Sequence, residues 1–322
     1  MTDFYLILVV ILGLLAIADL VVGVSNDAVN FLNSAIGSKV VSFKTLMVIA
    51  SLGVAFGAIS SSGMMEVARK GIFNPEMFVF SEIMIIFMAV MITDILILDL
   101  FNSWGLPTST TVSIVFELLG ASVAMALIKI GVDNGSFTDL ATYINTSKAT
   151  QIILGILLSV FVAFSIGAIV QWVSRLLLSY DFKTKATWVG AIFGGIALTA
   201  ISYFVLMKGI KGTSYAGESF DLIGGVTIKD FLESNVITIV TYSSIIWSLI
   251  SFFLIRFFNV DIYKLIIGAG TFALALAFAG NDLVNFIGVP IAAWQSYEAW
   301  IVSGVAANEF LSLIHISEPT RQ

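Results

Sequence analysis

The 322-residue chain has no cysteine, a single histidine (His315), and charged side chains at only 11% of its positions. Without cysteine there can be no disulfide, thiolate nucleophile or thiolate metal centre, and the redox compartment is left open. A single histidine leaves no room for a histidine-based metal cluster, and a Ser-His-Asp triad would have to use that one residue. Basic residues are also sparse, 15 Lys+Arg against 21 Asp+Glu for a net charge of -6, and they form no cluster. The electrostatic footprint of a nucleic-acid-binding protein is therefore missing. What is abundant is apolar: 59% of residues are hydrophobic and the mean hydropathy is +1.04. A soluble domain has roughly 45–50% apolar and 25% charged residues, so the composition is that of an all-α, polytopic membrane protein in which the lipid bilayer is the first partner.

A hydrocarbon core of about 30 Å takes about 20 mostly apolar residues per helix. Such runs lie near 4–24, 45–64, 78–101, 108–130, 150–174, 186–207, 236–258 and 262–280. The first follows Met1-Thr2-Asp3 with no Lys or Arg, so it reads as a retained helix and not as a secretory signal with a basic n-region. The stretches 131–149 and 208–235 are polar enough to be solvated connections, and no soluble catalytic domain is visible. Lys39 and Lys44, Arg69 and Lys70, Arg175, Lys183 and Lys185, and Lys208 and Lys211 fall in successive connections without clean alternation. That pattern gives no orientation, and it fits some runs dipping into the membrane and returning. Trp172, Trp188, Trp247 and Trp294 sit near run ends, as interfacial anchors do, whereas Met84, Met88 and Met91 have the spacing of a packed helix face.

Acids, in contrast, enter the apolar runs. Residues 71–128 contain Glu76, Glu82, Asp94, Asp99 and Glu117 with no Lys or Arg, and the first run adds Asp19 and Asp27. Ionisable groups in apolar spans are costly and usually line a pathway or bind an ion, so a mobile cation or proton is the natural source of the missing positive charge. Asp94, Asp99 and Glu117 are equally compatible with helix-to-helix hydrogen bonding. An intramembrane aspartyl hydrolase built on Asp94 and Asp99 is disfavoured, because two acids five apart point to different sides of a helix and no protease-like motif accompanies them; the chain does not read as an enzyme.

The polar residues repeat. Ser25-Asn26-Asp27-Ala28-Val29-Asn30-Phe31 returns as Gly280-Asn281-Asp282-Leu283-Val284-Asn285-Phe286, at a constant offset of 255 that also pairs Gly13 with Gly268, Ala18 with Ala273 and Ile36 with Ile291. Each copy ends an apolar run, which argues for duplication. If the chain resumes as a helix after a break there, Asp27, Asn30 and Ser34 share one face while Val29, Leu32 and Ile36 take another. A carboxylate, amide carbonyls and freed backbone carbonyls make a hard-oxygen site suited to sodium; the plainer alternative is that Asn30 and Asn285 bridge neighbouring helices. In the second copy Val289 replaces Ser34 and Pro290 replaces Ala35, so that site should be poorer in oxygen ligands and more sharply bent.

Between two runs lies Gly105-Leu106-Pro107-Thr108-Ser109-Thr110-Thr111. Proline suits the first turn of a helix, and hydroxyls, free N–H groups and the positive end of the macrodipole would converge there on an anion. Taken alone, the same residues are an N-cap.

Together, Asn26-Asp27 with Asn30, Asn281-Asp282 with Asn285, and Gly105 to Thr111 resemble the three motifs of the inorganic phosphate transporter family, which also includes sulfate permeases. The resemblance spans residues 1–310 in arrangement and rests on about twenty residues in detail. It implies an inverted-repeat fold with discontinuous, re-entrant helices, often dimeric, that moves phosphate with sodium ions or protons and needs no cofactor. The motifs would make Asn26, Asp27, Asn30, Asn281, Asp282 and Asn285 cation-binding, with Asp27, Asn30, Asp282 and Asn285 the sodium ligands if sodium is the coupling ion. Ser109, Thr110 and Thr111 would contact phosphate, with Asp27 and Asp282 beside it. Sulfate permeation and, from a different class, an ion channel are the competing readings. Members often carry His after the two threonines, where this chain has Val112, so a proton relay at that point is absent. A second hydroxyl motif is expected near position 362 if the repeat spacing holds. A multi-pass place in a cell membrane, in bacteria the inner one, is implied as well.

On this reading the chain divides into a first repeat (1–130), connecting helices and polar loops (131–260), the start of a second repeat (261–310) and a tail (311–322). Leu311 to Arg321, Leu-Ser-Leu-Ile-His-Ile-Ser-Glu-Pro-Thr-Arg, resembles the in-frame translation of a transposon-type sequencing adaptor. The tail, His315 included, is accordingly read as non-native sequence on a truncated gene and set aside.

Overall fold

The structure, a computed structural model, describes residues 2–60, 72–178, 187–211, 217–220 and 224–311. The tail beyond Leu311 and the basic pairs Arg69/Lys70 and Lys183/Lys185 lie outside these residues. The described chain is helical, and its β pairing is limited to isolated bridges. In chain order the α-helices are α1 (Thr2–Ser38), α2 (Phe43–Ser60), α3 (Phe80–Trp104), α4 (Thr110–Val132), α5 (Leu140–Tyr143), α6 (Thr146–Leu177), α7 (Trp188–Lys211), α8 (Ile228–Ser234), α9 (Val236–Phe258), α10 (Ile262–Asn281) and α11 (Leu283–Ser303). Among the described residues eight stretches are long and apolar enough to cross a membrane, with α10 and α11 together forming the eighth, Ile262–Ser303. Each of the eight apolar runs in the sequence falls on one of them. Helix α11 was not legible as a run of its own, because Asn285, Pro290, Gln295, Ser296 and Glu298 interrupt its apolar character.

Large hydrophobic side chains are exposed along most helices, and α6 has no buried residue at all. Apolar all round and unburied, such a helix suits hydrocarbon and not water. The chain is a multi-pass membrane protein.

Two compact units divide the chain: Met1–Val29, Gly63–Ser159 and Asp282–Gln322 form one, Asn30–Ser62 and Val160–Asn281 the other. In the first, α1, α3, α4 and α11 contribute to a single core through Leu12, Phe80, Ile83, Phe87, Leu118 and Ala293, all buried. The ring of Phe80 stacks on Trp300 at 4.8 Å and Tyr5 meets the same indole at 5.1 Å. Met84 and Met91 are fully buried in this core and Met88 packs against it, as their spacing indicated. At one end Lys129 Nζ donates to Glu82 Oε2 at 3.0 Å and to the Met77 carbonyl at 3.0 Å, while Glu82 caps α3 by accepting the Val79 N–H.

In the second unit α2 lies along α10. A Cβ at Gly53 would stand 2.5 Å from the Phe272 carbonyl oxygen, and one at Gly57 would run into the Leu276 carbonyl and approach the Ala279 methyl to 2.8 Å. The Gly-x-x-x-Gly pair and the alanines facing it therefore let two backbones approach closely, the small-residue packing that holds helices together where no hydrophobic drive exists between them.

The two copies of the repeated motif differ in backbone. The interruption expected at Asn26-Asp27 is not there: α1 runs unbroken from Thr2 to Ser38. No Gly or Pro occurs between Val24 and Ile36, the Ser25 hydroxyl bonds back to Val21 O at 2.7 Å, and the Asn26 side chain finds partners outside its own helix, so nothing competes with the helical backbone. The second copy is the interrupted one. Helix α10 stops at Asn281, α11 starts at Leu283, and Asp282 between them has φ -94° and ψ -30°. Pro290 lies inside α11 and is not the break.

Candidate functional site

The site is assembled within the first unit, around the start of α4. Helix α3 ends on Gly105 in the left-handed region (φ 67°, ψ 28°), a conformation that glycine adopts without Cβ strain. The Gly105 N–H donates to Asn102 O and the Leu106 N–H to Phe101 O, the paired bonds that close a helix C-terminus. Pro107 and Thr108 then lead into α4, whose N-cap is Ser109; its Oγ accepts the Val112 N–H at 3.3 Å.

Asn26 of α1 positions this loop. Its Nδ2 donates to Asn102 Oδ1 at 2.8 Å and to Leu106 O at 3.1 Å, and its Oδ1 accepts the Thr108 N–H at 2.8 Å. Asn102 answers by donating Nδ2 to Val22 O at 2.9 Å. The carboxamide read from the motif as a cation ligand is thus engaged in tying α1 to the end of α3 and the entry to α4.

The two acids of the repeat meet consecutive hydroxyls of the helix start. Thr110 Oγ1 donates to Asp27 Oδ2 at 3.2 Å, and Thr111 Oγ1 donates to Asp282 Oδ1 at 2.8 Å. Asn285 Nδ2 in turn donates to Thr111 Oγ1 at 2.8 Å, so that hydroxyl both gives and receives. Asp27, Thr110 and Asn285 are buried, and Asp27 and Asp282 lie within electrostatic range of each other. Two carboxylates that act on each other in an apolar setting repel while both are charged, so the arrangement calls for positive charge near both. A cleft of about 230 Å³ lined by Ser25, Asn26, Val29, Asn102, Gly105 and Pro107 opens beside it.

The structure therefore brings together Asn26, Asp27, Ser109, Thr110, Thr111, Asp282 and Asn285. Asn30 is exposed and belongs to the second unit, and Ser34, on the same expected face, is also exposed. The side chain of Asn281 lies outside the described residues. Among the described residues no group of three or more His, Cys, Asp or Glu is arranged to hold a metal ion, so a sodium site here would draw on two carboxylates, threonine hydroxyls and carbonyls. Asn102 was missed by sequence reasoning; the available signal was an amide three residues before a helix-ending glycine, at the close of an otherwise apolar run.

With this geometry in place, comparison with known proteins is informative. The model of the phosphate transporter family matches residues 23–314. The chain is 28% identical over 298 residues to a provisionally named phosphate permease of Pyrococcus abyssi, covering 90% of this chain and 67% of that protein. It is 26% identical over 287 residues to another from Thermococcus kodakarensis, covering 84% and 62%. The chain thus spans about two thirds of the length of these relatives. A solved structure titled as the sodium-dependent phosphate transporter shares the fold at a TM-score of 0.63 and 17% identity, over 93% of this chain and 69% of that one. A family match over most of the chain, carried by motifs that converge on one helix start, makes this protein a member of the phosphate transporter family, a family of transporters and not of enzymes.

Proposed function

We propose that the protein carries inorganic phosphate across a cell membrane as a secondary transporter, with sodium as the coupling ion. The observation that carries this reading is the grip of two motif carboxylates, Asp27 and Asp282, on the consecutive hydroxyls Thr110 and Thr111 at the start of α4. While both acids are charged, the hydroxyl protons point at them and an oxyanion is repelled. Cations placed beside Asp27 and Asp282 reverse the field, and the first N–H groups of α4, with the positive end of its dipole, become available to an anion. Neither ion is then well bound alone, which is the condition for coupling, and exchange of access between the two repeats would complete the cycle. The sodium-dependent structural neighbour supports sodium over protons in this role.

Phosphate is favoured over sulfate because monohydrogen phosphate can donate a hydrogen bond to a carboxylate whereas sulfate only accepts. Reconstituted protein is expected to take up radiolabelled phosphate when sodium is supplied, with little inhibition by sulfate, and Asp27→Asn is expected to abolish that uptake while inserting normally. Undiminished uptake by Asp27→Asn would refute the assignment, and uptake indifferent to sodium but driven by a proton gradient would move the coupling role to protons.

A further inference from the structure

A second set of acids lies in the first unit, away from the threonine hydroxyls. Asp19 of α1 and Asp94 of α3 are completely buried, and Glu117 of α4 is 9% exposed. Neither oxygen of Asp19 nor of Asp94 has a hydrogen-bond donor, nor has Oε2 of Glu117. They are neighbours nevertheless: Asp19 and Glu117 both lie close enough to Asp94 for its charge to act on them. The Ser113 hydroxyl donates to Glu117 Oε1 at 2.7 Å. A contact between two carboxyl groups becomes a hydrogen bond only when a proton lies between them, since an ionised carboxylate accepts and cannot donate.

Among the described residues of the helices that carry these acids, no fixed positive charge is placed to take that role. Helices α1, α3 and α11 contain no Lys or Arg, and the one cation of α4, Lys129, is three turns from Glu117 and paired with Glu82. The other charged groups on these helices that could bear on the site are also acids: Asp27 lies within electrostatic range of Asp94, Asp282 precedes α11, and Asp99 and Glu298 are exposed. Leaving several buried carboxylates both charged and unpartnered costs several kcal/mol each. Among the described residues the three acids do not form a metal-binding group, whereas a proton needs only the carboxyl oxygens.

We infer that Asp19, Asp94 and Glu117 form a proton-binding site, in which Asp19 and Glu117 each carry a proton donated to the Asp94 carboxylate lying between them. Two protons taken from solvent join the three carboxylates by two carboxyl-to-carboxylate hydrogen bonds and reduce the local charge from three negative to one. Exchange has a route on the Glu117 side. A cavity of about 550 Å³ between α3 and α4 is lined by Glu117, Ser113, Thr93 and, toward the start of α4, Thr108. Asp19 and Asp94 do not line it, so protons reach them through Glu117. This inference concerns the charge state of the unit and holds whatever solute the protein carries.

Infrared spectroscopy of the purified protein in D2O at neutral pH tests it without any transport measurement. The expected result is a protonated-carboxyl C=O band that persists when sodium chloride is exchanged for choline chloride and is diminished by Asp19→Asn and by Glu117→Gln. Glu117→Gln, at the cavity edge, remains informative where a change at the sealed positions prevents folding. The inference is overturned if the wild-type protein has no such band, if the band survives both substitutions, or if adding sodium removes it, which would make the occupant a metal cation.

Discussion

Thr111 is the most economical place to test the geometry of the site, because one hydroxyl oxygen carries two bonds that join three elements: it donates to Asp282 at 2.8 Å and accepts from Asn285 at 2.8 Å. Thr111→Val keeps the shape and β-branching of the side chain and removes both. A hydrogen bond to a charged group is worth about 1.5–3 kcal/mol in soluble proteins, whereas interhelical bonds within membranes average nearer 0.6 kcal/mol each. Asn285 is only 6% exposed, so its amide group would also lose an acceptor that water does not readily replace. The expected loss of stability is about 1–3 kcal/mol, read from unfolding in detergent. The expected loss of phosphate uptake is roughly tenfold to hundredfold, since each 1.4 kcal/mol of misplaced Asp282 costs a factor of ten. Thr111→Ser, which restores the oxygen without the methyl, should recover most of both. A valine variant with wild-type stability and wild-type uptake would mean that the Asp282–Thr111–Asn285 chain is not the working arrangement.

Two further substitutions probe what holds the site in place. A Cβ at Gly23 would collide with the Phe286 ring, which is fully buried; Gly23→Val should therefore cost about 1–3 kcal/mol as an overpacked contact, and Phe286→Leu in the same chain should return a good part of it in thermal unfolding. Asn26→Ala removes three hydrogen bonds to Asn102, Leu106 and Thr108, worth together about 2–3 kcal/mol. Amide hydrogen exchange at Leu106 and Thr108 should accelerate in that variant, and unchanged protection at Thr108 would show that Asn26 does not position the loop.

The membrane helices were legible because length and apolar content are properties of contiguous sequence, and eight runs identified in that way correspond to eight spanning stretches. Helix α11 was not, since a helix that buries Asn285 and Ser296 inside a protein core has no need of a continuous apolar sequence. The same limit explains α1. An Asn-Asp pair at the end of an apolar run reads as a break, yet whether the backbone stays helical depends on where the side chains find partners, and Asn26 finds them on α3 and the loop that follows it. The motif residues were legible as a set because Asp27, Asp282 and Thr110-Thr111 are polar in an apolar context. Their pairing was not, because acid and hydroxyl are separated by 83 positions in one case and 171 in the other.

The two groups of acids in the first unit differ in their hydrogen-bond partners, and on the proposals made above they would take different occupants. Asp27 and Asp282 each receive a hydroxyl proton and lie at a helix start whose dipole favours negative charge. Such carboxylates can stay ionised and exchange a cation during a cycle. The oxygens of Asp19 and Asp94 are buried and have no hydrogen-bond partner. A hydrated ion would have to shed its water to reach them and would find too few ligands on arrival, whereas a proton needs only the carboxyl oxygens themselves. Because Asp94 also lies within electrostatic range of Asp27, each proton gained by the buried group weakens the negative field at Asp27, making the cation less strongly held and the anion less strongly repelled. Acidification should therefore raise the sodium concentration needed for half-maximal phosphate uptake in the wild type more than in Asp94→Asn, in which that charge is already absent.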